Sequence, residues 1–163
     1  MFPELITELL RDGHKVSFCA PGHSMFPTIM ANETIMVEPI EPETVRTGDI
    51  ILYRTNGRLI AHRVVGINMF SDNRSSSHSE FGPQSSTLSP LHFFTFRGDA
   101  CLSCDRPVKA GQILGKVVSI ERNGCYIDPY SLRHKLSCLA LSWIALINRL
   151  SRIISSLFFS KGR

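Results

Sequence analysis

The chain of 163 residues has little of any feature that would dictate its architecture alone. Its five cysteines, at positions 19, 101, 104, 125 and 138, do not make a disulfide framework. A chain of this length can build a core without such staples. An odd number leaves at least one thiol unpaired, which suits a reducing compartment better than a secreted one. Cys101 and Cys104 form a C-x-x-C, but neither a second C-x-x-C nor an H-x-x-x-H completes four ligands. No zinc site is therefore expected, and no other metal or organic cofactor is expected either. Lys and Arg exceed Asp and Glu by only 18 to 14, without the clustered basic stripe of a nucleic-acid binder, so no nucleic-acid partner is expected. The first residues, Met1 to Arg11, have Glu4 and Glu8 inside their apolar stretch, so neither a signal peptide nor a membrane anchor is expected there. No internal repeat is visible.

What is present is 43% apolar and 20% charged residues, the balance of one ordinary globular domain. Collagen-like, coiled-coil and wholly disordered chains are excluded. Leu5, Ile6, Leu9 and Leu10 recur at helical spacing and Asp12-Gly13 supplies a stop, which predicts a short N-terminal amphipathic helix over 3–11. The character then changes. Runs at 15–20, 34–38, 49–54, 59–67, 93–97 and 113–121 are rich in Val, Ile, Phe and Tyr and are separated by Pro, Gly, Asn and Asp, the pattern of a mainly β, mostly antiparallel domain. Asn56-Gly57 between two such runs predicts a hairpin, because both residues tolerate positive φ. Residues 71–90, with eight serines and two prolines, are expected to be a mobile inserted loop.

At the carboxyl end, Leu136, Leu139, Trp143, Leu146, Ile147, Leu150, Ile154 and Leu157 recur three or four residues apart, opposite Ser137, Ser142, Arg149 and Arg152. This predicts an amphipathic C-terminal helix over 133–163. The uncharged stretch Leu136 to Asn148 is too short to span a bilayer. Basic flanks together with Trp143 and Phe158-Phe159 suit a helix lying in the membrane interface, so peripheral membrane association through Leu136 to Phe159 is expected. Docking on the chain's own domain or on a partner chain is the alternative.

The segment Pro21-Gly22-His23-Ser24-Met25-Phe26-Pro27-Thr28 leads out of a predicted strand and sets a serine in a turn. Such a turn can expose Oγ and aim backbone N–H groups at a shared point, as acyl transfer requires. With Gly48-Asp49-Ile50-Ile51, His62-Arg63-Val64-Val65 and Phe94-Thr95-Phe96-Arg97-Gly98-Asp99 following in order, the chain resembles the type I signal peptidase family over about two thirds of its length, from Val16 to Val118.

The resemblance implies a domain of coiled antiparallel β-sheet, of a type shared with self-cleaving repressor peptidases, spanning 1–132. It also implies a serine endopeptidase that cuts precursor or exported peptides after small residues. His62 stands where one branch of the family has lysine, and Ala61-His62-Arg63-Val64-Val65 is similar to the Ser/His branch of the endoplasmic reticulum and archaea. Ser24 then maps onto the nucleophile and His62 onto the general base. Imidazole, with an ordinary pKa of about 6.5, can take a proton at neutral pH without the desolvation that a lysine needs. Asp99 and Asp105 are the candidates for the carboxylate that holds the histidine. The family's spacing favours Asp105, with Asp99 as a supporting residue. Ser24 N–H is the natural oxyanion donor, and Gly22 stands where the lysine branch has an assisting hydroxyl. Arg63 reads as a solvated strand charge, Pro27 and Thr28 as residues shaping the turn, and His14, His23, His78, His92 and His134 as surface histidines.

Family members normally carry an N-terminal anchor. Without one, either the C-terminal helix takes its place on a membrane face, the cytoplasmic one included, or the enzyme is cytoplasmic. Two other readings share the fold. One is a catalytically silent peptide-binding or membrane-surface module, and the other a self-cleaving regulator. Against the regulator, no helix-turn-helix precedes Ser24 and no linker offers an Ala-Gly or Cys-Gly bond.

Overall fold

The computed structural model describes residues 2–70 and 91–132. The expected loop at 71–90 and the expected helix at 133–163, with His78 and His134, lie outside the described residues. Asn56 and Gly57 adopt φ of 49° and 73°, the paired positive values that a two-residue turn needs to match the twist of its strands. That turn joins β3 (Ile50–Thr55) to β4 (Arg58–Phe70) and fixes their register, with Thr55 opposite Arg58 and Ile51 opposite His62. Four further strands fall where the β-rich runs predict them. They are β1 (Val16–Ala20), β2 (Glu33–Pro39), β5 (Leu91–Arg97) and β7 (Ile113–Arg122). Two short ones, β6 (Val108–Lys109) and β8 (Cys125–Ile127), were not expected.

The strands form one sheet in the order β1-β2-β7-β3-β4-β5-β6, with β8 paired to β7, and every ladder is antiparallel. The helix α1 (Pro3–Arg11) begins on a proline, where the missing N–H costs nothing, and ends at Gly13 with φ of 85°. It buries Ile6 and Leu10 against β7, β1 and β2, while Leu5 stays outside.

The first four residues of β3, Ile50 to Tyr53, are apolar without interruption because both faces of the strand are covered there. Ile50 and Leu52 join one hydrophobic cluster with Val37, Val117 and Ile120, and Ile51 and Tyr53 join another with Phe94, Phe96 and Val64. Each of these fully buried side chains contributes about 1.5–3 kcal/mol. A phenol closes the sheet where β3 begins: Tyr130 Oη accepts the Ile50 N–H at 3.0 Å and donates to the Val117 carbonyl at 2.8 Å, taking the place of a ladder rung.

Tyr130→Phe leaves both backbone groups without this partner and is expected to lower the unfolding free energy by about 1–3 kcal/mol. Burial raises the Tyr130 pKa above the phenol's ordinary value of about 10. The fold thus favours the protonated ring. Its contribution is complete below about pH 10 and is lost as pH rises through the folded value. Denaturant titrations at pH 7 and pH 11 should show the wild type losing more stability than the variant. Equal losses would contradict this account.

Candidate active site

Strand β4 places neighbouring residues on opposite sides, and here the two sides do different work. His62, 7% exposed, turns toward the face that carries Tyr53 and Phe96. Its Nε2 lies 2.8 Å from Ser24 Oγ and its Nδ1 lies 2.6 Å from Asp105 Oδ2. The hydroxyl, the imidazole and the carboxylate form one hydrogen-bonded line. In this line the carboxylate selects the tautomer with hydrogen on Nδ1 and leaves Nε2 free to receive the serine proton.

Tyr53 extends the line. Its buried hydroxyl donates to the same Asp105 oxygen at 2.8 Å, and its ring stacks on Phe96 with centroids 4.5 Å apart. Burial, then the hydrogen bond and the charge of Asp105, raise the phenol's pKa. The ring thus remains a donor across the neutral and alkaline range. Reading the residues singly misses Tyr53. The signal was the Asn56-Gly57 turn, whose register sets Tyr53 opposite Ile60, on the face of Ile51 and His62.

Arg63 faces the other way and is not a solvated strand charge. Its Nε and Nη2 grip Asp99 Oδ1 and Oδ2 at 2.8 and 2.6 Å, and its Nη1 donates to the Gly48 carbonyl at 2.9 Å. The pair is largely buried, with side-chain exposures of 23% and 18%. Thr28 does more than shape its turn, because its hydroxyl donates to Asp99 Oδ2 at 2.5 Å. The structure thus separates the two aspartates: Asp105 meets His62, and Asp99 meets Arg63 and Thr28. Asp49, 8% exposed, pairs with Lys116 and caps the Arg46 N–H, a structural role.

Gly98 makes the close approach possible. A Cβ there would stand 2.5 Å from the Ser24 carbonyl oxygen and 3.1 Å from His62 Nε2. Only glycine lets the chain pass, and the next N–H but one, that of Ala100, donates to the Ser24 carbonyl at 2.9 Å and holds the Ser24 backbone. Asp105 is placed by its own N–H, which donates to the Phe96 carbonyl at 2.8 Å.

Beside Ser24 lies an apolar cavity of about 330 Å³, lined by Phe18, Ala20, Ile35, Leu52, Leu59 and Ala61 among others. His14 and His23 are exposed, as expected, whereas His92 is half-buried and stacks on Phe94. Among the described residues, no cluster of three or more His, Cys, Asp and Glu side chains could hold a metal ion, and no helix is long and apolar enough to cross a membrane.

Neither the protein-family models nor the curated proteins contain a match to this chain.

The two aspartates should separate experimentally. Asp99→Asn weakens a largely buried ion pair and is expected to cost about 2–3 kcal/mol of stability. Asp105→Asn keeps an acceptor and should cost about 1 kcal/mol, yet it should slow the reaction of Ser24 with an activated ester by about 10³–10⁴, because the histidine tautomer is lost. Denaturation and acylation kinetics measured side by side check both. The reverse ranking would exchange their roles.

Proposed function

We propose that the protein is a serine endopeptidase of the type I signal peptidase kind, acting through Ser24, His62 and Asp105. The observation that carries this reading is the 2.8 Å approach of Ser24 Oγ to His62 Nε2, with Asp105 Oδ2 2.6 Å from the other ring nitrogen. Imidazole in that position removes the serine proton as Oγ attacks the scissile carbonyl, and the same proton then passes to the departing amine. Asp105 stabilises the imidazolium formed between these steps. Ser24 N–H is the donor this reading assigns to the oxyanion.

The surroundings suit an extended peptide. β5 pairs with β4 only from Arg63 onward, so among the described residues no strand pairs with Leu59–Ala61 on the edge away from β3. The cavity runs between that edge and Phe18 and Ala20 of β1. A substrate strand can add its backbone hydrogen bonds to the Leu59–Ala61 edge and lower apolar side chains into the cavity. Small residues before the cut are what the family resemblance adds. Peripheral membrane association through Leu136 to Phe159 belongs to the same proposal and rests on the amphipathic pattern of that segment alone.

Purified protein should cleave an extended precursor peptide, and Ser24→Ala and His62→Ala should each reduce turnover by at least about 10³-fold. A peptide bound without turnover by wild type and both variants would favour the silent module. Cleavage surviving Ser24→Ala would contradict the assignment.

A further inference from the structure

The eight residues from Gly98 to Asp105 carry both aspartates, and between these lies the pair Cys101 and Cys104, which the proposed mechanism does not use. The segment is tied at three points. Ala100 N–H donates to the Ser24 carbonyl, Cys101 N–H donates to the Gly98 carbonyl at 3.0 Å, and Asp105 N–H donates to the Phe96 carbonyl. Both thiols are reduced.

Their surroundings differ. Cys101 is half-buried, and its Sγ lies 2.9 Å from the position that a Cβ on Gly98 would take. His62 Nε2 lies 3.1 Å from the same point, so thiol and imidazole are at most 6.0 Å apart. Cys104 is exposed and immediately precedes Asp105, and the fully exposed Leu102 stands between the two cysteines. One thiol therefore faces the reacting atoms, and the other faces solvent next to the carboxylate that orients His62.

We propose that Cys101 and Cys104 are a thiol modification site whose co-reactant is a low-molecular-weight disulfide, and that joining them disables the Ser24–His62–Asp105 line. The exposed Cys104 thiolate attacks one sulfur of the small disulfide, forms a mixed disulfide and expels one small thiolate. The Cys101 thiolate then attacks Cys104 Sγ, forms the intramolecular bond and expels the second. Two protein thiols are oxidised, one small disulfide is reduced to two thiols, and the protons of the protein thiols pass to the leaving thiolates.

A disulfide requires Cβ atoms about 3.5–4.5 Å apart. Bringing an inward sulfur and an outward sulfur together within one short bend turns at least one of the two residues. Cys101 shares its surroundings with Gly98 and His62, and Cys104 is bonded directly to Asp105. Either rotation shifts a group that must stay within about 0.5 Å of its place for the proton line to hold.

Only the activity arm of the test rests on the peptidase reading. The full chain is incubated with oxidised glutathione and then with dithiothreitol. Peptide mapping should find Cys101 joined to Cys104, the His62 ring resonances should shift, and peptide turnover should fall at least tenfold. Dithiothreitol should reverse all three. Cys104→Ser should retain the turnover of the reduced protein and ignore the oxidant.

Recovery of Cys104 only as its glutathione adduct, or a Cys101–Cys104 link that leaves the His62 resonances unmoved, would overturn the proposal. A reduced protein that cleaves nothing would refute the peptidase reading instead, while the mapping and the resonances still decide this one.

Discussion

The ion pair between Arg63 and Asp99 underlies the rest of the site. A guanidinium and a carboxylate this far from water lose several kcal/mol of hydration each, and the loss is offset only when their remaining hydrogen-bonding positions are filled. Here they are filled from segments far apart in the chain. Asp99 arrives after β5, Thr28 from the turn that follows Ser24, Gly48 from the turn before β3, and Arg63 from β4 itself. One paired charge thus fixes where three loops meet a strand. The residues of the proton line sit on those same segments: Ser24 is four residues before Thr28, His62 is next to Arg63, and Asp105 is six residues after Asp99.

The alternation of a β-strand explains why structure and chemistry can be adjacent in sequence without interfering. His62 and Arg63 share a backbone yet point to opposite sides of β4, so the arginine can be locked while the imidazole remains free to exchange a proton. Two rigid neighbours restrain the imidazole. Asp105 accepts its Nδ1 hydrogen, and Tyr53, stacked on Phe96, holds Asp105 in turn. Such support keeps the hydrogen-bonded line from Ser24 to Asp105 within the tolerance that proton transfer would demand. Gly98 completes the arrangement by giving space, since any side chain there would press on the Ser24 carbonyl.

Much of this was legible in the sequence, for identifiable reasons. The β-rich runs and the Asn56-Gly57 turn expose their physics locally, as does the proline-initiated helix. Ser24, His62 and Asp105 were reached through spaced motifs, and their side chains do meet. β6 escaped because a two-residue strand carries no periodic signal. β8 escaped although Asn123-Gly124, with φ of 52° and 76°, repeats the turn chemistry of Asn56-Gly57. Arg63 was misjudged because a charged residue on a strand is ordinarily solvated, and nothing local reveals a carboxylate arriving from 36 residues away. Tyr53 and Tyr130 act through hydroxyls whose partners lie across the sheet, and only the register shows them.

The most direct measurement of the central claim is the covalent fate of Ser24. Full-length protein treated with a fluorophosphonate should gain a single adduct by intact mass, peptide mapping should locate it on Ser24, and His62→Ala should abolish it. No adduct on the wild type, adducts scattered over several serines, or undiminished labelling of His62→Ala would show that the hydroxyl at position 24 is not activated by the imidazole beside it, and the account would fail.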